Sequence, residues 1–528
     1  MNQSNQSTLF TQSTHSAFYE GRISSSLSLM VGLVILSITS AYLYFAISDF
    51  LQTFLKRPTH FLPFKFIQRI NPTKVDVPLV EIKEEGNFRE LLARGSKQYP
   101  DRPYKFQHHP GEIVILPFKY MDAIKNAPEG KLSFQQGSFD MLMGEHTGIT
   151  GHDLEMATLI RRDVGRLLDR VYTIVDDEAM DALKDEIGPC EDWTEVTLLP
   201  KTVRMIVKVS QRVFVGEPLC RDERWLETIL NCTAASFGSV TKLWTYNWMT
   251  RPFVAWRDPG LRSIRKYKEE ARELIRPVLD QRLKDLQDPD FKAPPDLIQL
   301  VIDGFKNGKG RNLETQVATQ IGTGRAALFT TGVTVFHLIY DLATHPEYIQ
   351  PLREEVINLG DVPMNRVNVA KLVKLDSFIR ECQRWSKFML IGTMRKVIQP
   401  LTLPDGTVLP VGTLLAVDTQ NAVFNNSTLE DPHKFDGFRF EKLRTQEGNA
   451  MKYQAVTTGA DHLVFGYGSQ ACPGRFFAIH EAKVALARVL LNYDFKLKEK
   501  LADSPMARVV GVLTTADPSV KFLFKSRE

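Results

Sequence analysis

The run Phe465-Gly466-Tyr467-Gly468-Ser469-Gln470-Ala471-Cys472-Pro473-Gly474-Arg475 constrains this chain more than any other stretch. One cysteine stands between glycine-rich turns and an amphipathic helical run, Phe476 to Leu491. Gly466, Gly468 and Gly474 carry no Cβ, so the backbone can bend tightly there and lie close against a flat cofactor. Pro473 suits a first helical position, which places Cys472 at a helix N-terminus. Unpaired N–H groups at that end favour an anionic sulfur, and the thiolate is the form that binds a metal. Phe465 is placed to pack beneath the cofactor.

The segment resembles the haem-binding signature of the cytochrome P450 family, Phe-x-x-Gly-x-Arg/His-x-Cys-x-Gly, with Phe465, Gly468, Cys472 and Gly474 on its fixed positions. The resemblance implies haem b with Cys472 as the axial iron ligand, the arrangement that favours O–O cleavage. Gln470 stands where the family has Arg or His against a haem propionate. Two further segments extend the likeness. Phe378-Ile379-Arg380-Glu381-Cys382-Gln383-Arg384 holds Glu-x-x-Arg, whose i, i+3 spacing puts both charges on one helical face. Farther along comes Asp431-Pro432-His433-Lys434-Phe435-Asp436-Gly437-Phe438-Arg439-Phe440. By the resemblance, Glu381, Arg384 and Arg439 form a buried charged triad that supports the haem loop, and buried charges are tolerable only when paired.

A chain of 528 residues has room for several domains. The resemblance implies instead one haem-thiolate catalytic domain over 75–528, mainly α with a smaller β-rich part. The 43% hydrophobic content is ample for such a core. A net charge of +4, without basic clusters interleaved with aromatics, gives no footing for nucleic acid. Cys190, Cys220, Cys232, Cys382 and Cys472 show no paired framework and no Cys-x-x-Cys, which excludes a disulfide scaffold or zinc site and fits a reducing compartment.

The N-terminal stretch predicts the setting. Residues 23–48 carry no charge, and a run of ~20 apolar residues suffices to cross a bilayer as a helix. Lys56, Arg57, Lys65, Arg69 and Lys74 follow it, whereas Glu20 and Arg22 cancel before it. The positive-inside rule then puts the catalytic part in the cytosol and residues 1–22 in the lumen. The expected layout is a lumenal segment 1–22, a single transmembrane helix 23–48, and a basic, proline-containing linker 49–74. The sequons Asn2-Gln3-Ser4 and Asn5-Gln6-Ser7 would be glycosylated on the lumenal side. An endoplasmic-reticulum membrane is the expected location.

Within the catalytic part, Gly111 to Leu116 reads as a strand ended by Pro117. Glu155–Tyr172 and Ser263–Leu286 read as amphipathic helices, and Gln136–Thr150 as a loop without periodicity, which in the family lies over the haem and touches substrate. Glu314 to Ala343 predicts a long buried helix, its Gln and Thr content arguing against a second membrane span. In it Ala326-Ala327-Leu328-Phe329-Thr330-Thr331 resembles the family's oxygen-binding segment. Ala326 and Thr330 share one face; the small residues leave room for dioxygen, and the resemblance makes Thr330 the catalytic hydroxyl. Phe329 replaces the usual acid, leaving the proton route open. Arg325 lies inside this helix and needs a partner, a core carboxylate being expected ahead of a carboxylate-bearing substrate.

The expected function is a haem-thiolate monooxygenase that takes O2 and electrons from a separate NADPH–cytochrome P450 reductase. The segments quoted look like filamentous-fungal members of the family, so the substrate expected is a lipophilic secondary-metabolite intermediate, terpenoid ahead of alkaloid, polyketide or peptide. A reductase-independent isomerase or dehydratase is the alternative that Phe329 leaves open, and a non-enzymatic haem protein a more remote one.

Overall fold

The computed structural model describes residues 75–81, 88–108, 111–149, 154–419, 429–459, 462–499 and 508–527, with 37–40, 42 and 424. The chain divides into two compact units, 1–73 and 74–528. The first lies outside the described residues except at 37–40 and 42, which are helical, so the expected 23–48 span falls there too.

The second unit is mostly helical. Its longer helices are α1 Phe88–Gln98, α2 Phe134–Met141, α3 Leu154–Glu186, α4 Leu198–Phe214, α5 Glu223–Trp244, α6 Pro259–Asp285, α7 Leu297–Gly304, α8 Leu313–Thr344, α9 Ile349–Asn358, α10 Val373–Trp385 and α11 Arg475–Asn492. Short polar side chains fix several of the starts. Asp222, Asp258 and Asp296 accept from backbone N–H groups at the heads of α5, α6 and α7, and Asn312 does so for α8. Such caps stabilise a helix by ~1 kcal/mol each.

The strands are β1 Tyr104–His108, β2 Gly111–Leu116, β3 Leu132–Ser133, β4 Thr194–Thr197, β5 Ile391–Val397, β6 Leu401–Thr402, β7 Val408–Leu409, β8 Leu414–Asp418, β9 Tyr493–Leu497, β10 Arg508–Val510, β11 Leu513–Thr515 and β12 Lys521–Ser526. The largest sheet runs β1-β2-β8-β5-β3, with β2 and β8 parallel and the other neighbours antiparallel. A smaller sheet orders β4-β12-β9.

The long charge-poor stretch is α8, as its composition predicts, and it passes through the core. Among the described residues it is the one helix long and apolar enough to cross a membrane, but 67% of its apolar window is buried inside the protein. Val335, Phe336, Leu338 and Leu342 are fully covered. They pack with Met205 and Ile206 of α4 and with Val484, Leu486 and Leu490 of α11 in one hydrophobic cluster. The core therefore joins α8 directly to the helix that follows Cys472.

The stretch 136–150 departs from the loop expected for it. Residues 134–141 are helical because Ser133 caps them, its Oγ accepting from the Gln136 N–H at 2.8 Å. A further turn spans Gly144–Thr147. The missing apolar period had hidden two helices too short to show one.

Candidate active site

Cys472 lies just before α11, which starts at Arg475 with Gly474 as its cap, two residues later than Pro473 would have set it. The Gly474 and Arg475 N–H groups nevertheless point at the sulfur, and the Cys472 N–H donates to the Phe465 carbonyl at 2.7 Å. These donors and the Arg475 charge favour the thiolate, but burial acts more strongly and lifts the thiol above its ordinary range.

The loop glycines divide their work. Gly466 and Gly468 adopt φ of 72° and 78°, which an L side chain rarely takes. A Cβ on Gly468 would come within 2.0 Å of the Lys125 carbonyl oxygen, so its close approach is to the chain and not to a cofactor. Gly474, by contrast, faces open space, with no heavy atom within 4 Å of a Cβ built there. Gln470 has a role that the signature does not indicate. Its Oε1 accepts from the Phe134 N–H at 3.0 Å, and its Nε2 donates to the Ala127 and Leu132 carbonyls at 3.0 and 2.8 Å. The side chain staples the cysteine loop to the segment that leads into α2, with no capacity left over for a propionate.

In the middle of α8, between the buried residues 319–321 and 331–333, several positions keep accessible surface. Ala326 is exposed, and Gly322, Thr323, Ala327 and Thr330 are only half-buried. Surface that survives at the centre of a core helix opens on internal space. The Thr330 hydroxyl donates to the Ala326 carbonyl at 3.0 Å, so its lone pairs, not its proton, are free to meet a water. Phe329 stands between Phe237 of α5 and Phe388, with ring centroids 6.0 and 6.1 Å away. The missing acid has thus been replaced by the centre of an aromatic wall. The 388–390 and 512–514 segments meet beside it through Leu390 N–H to Val512 O at 3.0 Å and Thr514 N–H to Phe388 O at 2.9 Å.

Arg395 on β5 is the group that the sequence reading missed. It is buried at 1% exposure, its Nε and one terminal nitrogen lack any partner, and burial lowers it to about 10. Its guanidinium lies 5.6 Å from the Phe134 ring centroid. The register of β5 against β8 shifts between Gly392 and Arg395, where Thr393 takes φ of 51°, and such bulges re-aim side chains. Arg475 Nε is also buried without a partner. Buried cations with donors to spare call for an anion. A flat cofactor with carboxylates would fit this donor set, with Cys472 to hold its metal and Arg395 to meet a carboxylate.

The residues expected to form the supporting triad do meet. Glu381, fully buried, accepts from Arg384 Nε at 2.8 Å and from an Arg384 terminal nitrogen at 2.7 Å. Arg439 Nε approaches Glu381 at 3.4 Å, and the Asp436 N–H donates to the same carboxylate at 2.9 Å. Both arginines then donate to the Lys434 carbonyl, at 3.2 and 2.7 Å. The pair locks α10 to the 430–439 segment.

The comparisons agree with this geometry. The cytochrome P450 family profile matches residues 162–523. Cytochrome P450 monooxygenase BOA4 of Botryotinia fuckeliana is 36% identical over 476 residues, covering 88% of this chain and 95% of the relative. Cytochrome P450 monooxygenase prx8 of Penicillium rubens is 33% identical, covering 85% and 86%. Among solved structures, the retinoic-acid-bound cyanobacterial CYP120A1 shares the fold with a TM-score of 0.64 at 16% identity, covering 86% of this chain and 100% of that one. With the cysteine loop, the core helix above it and the relatives all in agreement, the chain belongs to the cytochrome P450 family and is an oxidoreductase of the haem-dependent monooxygenase kind.

Proposed function

We propose that this protein is a membrane-anchored monooxygenase that hydroxylates a lipophilic secondary-metabolite intermediate, terpenoid ahead of the other classes, with electrons from an NADPH–cytochrome P450 reductase. Haem b, when bound through a cysteine thiolate, supplies oxygen reduction and O–O cleavage. The protein's own groups do the rest. Cys472 would hold the haem iron through its sulfur, Phe465 would pack against the group, and Gly474 would leave it room to approach. Arg395 is assigned to a haem carboxylate, and the Glu381–Arg384–Arg439 cluster holds the loop's surroundings rigid. Ala326 and Ala327 would keep space clear beside the bound group, and the Thr330 hydroxyl oxygen would accept from a water and fix where a proton enters. The wall of Phe237, Phe329 and Phe388 excludes other water and turns an apolar substrate toward that space.

The observation that carries the reading is the Cys472 sulfur, met by the Gly474 and Arg475 backbone N–H groups at the end of the signature loop. The uncharged stretch 23–48 with the basic residues after it supports anchoring in the endoplasmic reticulum with a cytosolic catalytic unit and a glycosylated lumenal N-terminus. The reduced carbon-monoxide difference spectrum of membranes expressing the chain tests the site: a strongly red-shifted Soret band is expected, and Cys472→Ala should abolish it. A histidine-type band in well-folded protein would overturn the assignment. Phe329, in place of the acid, also admits a reductase-independent isomerase or dehydratase. Turnover without NADPH would favour that reading.

A further inference from the structure

Arg325 does not have the carboxylate partner that a buried structural arginine needs. Its one hydrogen-bond contact is with Ser236 Oγ at 3.4 Å, and the Ser236 hydroxyl itself donates to the Cys232 carbonyl at 2.6 Å. Cys232 lies nearby, but burial raises its thiol above the ordinary range, so it stays neutral and cannot balance the charge. A second cation, Lys268 of α6, lies within electrostatic reach, lowered first by burial and then by Arg325. Its ammonium stands over Gly148, 3.4 Å from a Cβ built there. The acid within reach of Lys268 is Glu314, and Arg272 already holds it through two bonds of 2.6 and 2.7 Å. Among the described residues no carboxylate pairs with Arg325 or Lys268. The core carboxylate expected for Arg325 from sequence is thus not found.

Two like charges brought together away from bulk water destabilise a protein unless something anionic joins them. Their place says what. Arg325 is largely withdrawn from solvent yet keeps accessible surface, so it opens on internal space. It lies one turn before Phe329 and next to Ala326, on the helix that roofs the site. Arg325 precedes Thr330 by five residues, roughly 7.5 Å of helix rise. Along α8 the cationic Arg325 is thus followed by the small Ala326 and Ala327, then by Phe329 of the aromatic wall and by Thr330.

We infer that Arg325 and Lys268 form a carboxylate-binding subsite, and that the substrate of this enzyme is a lipophilic acid held by its carboxylate there while its apolar body reaches the space above Cys472. The inference rests on the monooxygenase reading and narrows its substrate class.

Two matched pairs test it on the haem-loaded full-length protein: abietic acid with methyl abietate, and oleic acid with methyl oleate, bound by equilibrium dialysis. A charge-assisted contact makes at least one acid bind about tenfold or more tighter than its ester. Arg325→Met should bring that acid down to the ester's affinity, and Lys268→Met should lower the preference in part. No acid preference in either pair, through equal binding or none, overturns the inference, as does a preference that survives Arg325→Met. Ligand-free Arg325→Met should melt at or above the wild-type temperature, because it removes an unbalanced charge. A lower melting temperature would make Arg325 structural and overturns the inference independently of any ligand. The carbon-monoxide spectrum of the same samples separates the two readings. A normal thiolate band without acid preference removes only the subsite, whereas a missing band removes the monooxygenase.

Discussion

At Gln470 the haem signature and the structure part company in an informative way. An Arg or His there would face outward to the cofactor, whereas Gln470 turns both ends of its amide to backbone groups of residues 127–134. Gln470→Ala leaves those partly exposed groups without their protein partner, at up to ~1 kcal/mol for each bond lost. The expected result is a lower melting temperature and less bound haem with the position of the carbon-monoxide band unchanged; a shifted band would place Gln470 on the cofactor after all. If Arg395 has taken over the carboxylate contact, Arg395→Leu should speed haem transfer to apomyoglobin by about tenfold or more, as expected for a lost charge-assisted bond. An unchanged rate would mean that Arg395 answers some other anion. Cys472 could be picked out from its neighbours alone. Arg395 could have been, since an arginine within the otherwise strand-like run Ile391–Val397 is out of place, although the bulge that aims it could not be read. The missing acid beside Arg325 had no local signal, because it depends on what α5 and α6 bring from far away.

Helix α10 shows the same division among elements. Its Glu-x-x-Arg spacing is legible, and so is the arginine that follows in the 431–440 segment. The backbone carbonyls of Pro432 and Lys434 that receive Arg384 are not, since only the fold aims them. Arg384→Ala would leave the fully buried Glu381 with only the longer Arg439 contact, at 3.4 Å, and the Asp436 N–H. Removing one partner of a buried pair typically costs ~3–5 kcal/mol. Haem-poor protein with a much lower urea midpoint is expected, and a normal holoprotein yield would show that α10 does not depend on the cluster. Helix α2 was illegible for another reason. Eight residues carry too few turns to display a period, and its start depends on a single serine hydroxyl.

Across the whole molecule, the core between α4 and α11 holds a carboxyl that makes stability depend on pH. Burial lifts Glu481 from 4.5 to about 8, and only the Ser210 hydroxyl, at 2.6 Å, favours its charged form. The folded chain keeps a proton there that the unfolded chain releases above 4.5, so this contribution is lost as pH rises from about 4.5 to about 8. The slope is at most ~1.4 kcal/mol per pH unit. Glu481→Gln should flatten the decline, so that the difference in calorimetric stability between variant and wild type grows in the variant's favour across that window. A constant difference would mean that Glu481 titrates alike in both states. The mainly helical architecture itself was legible from the long runs now seen as α3, α6 and α8. How α8 threads between α4 and α11 was not, because a buried helix is apolar all round and its sequence names no partner.

The exposed Ala326 in the middle of α8 has a consequence for how this enzyme can diversify. Each residue turns the helix by about 100°. One residue inserted or removed between Arg325 and Thr330 would swing the hydroxyl out of the opening while leaving the arginine where it was. Relatives that act on different molecules are expected to differ in this stretch by exchanged side chains and never by changed length.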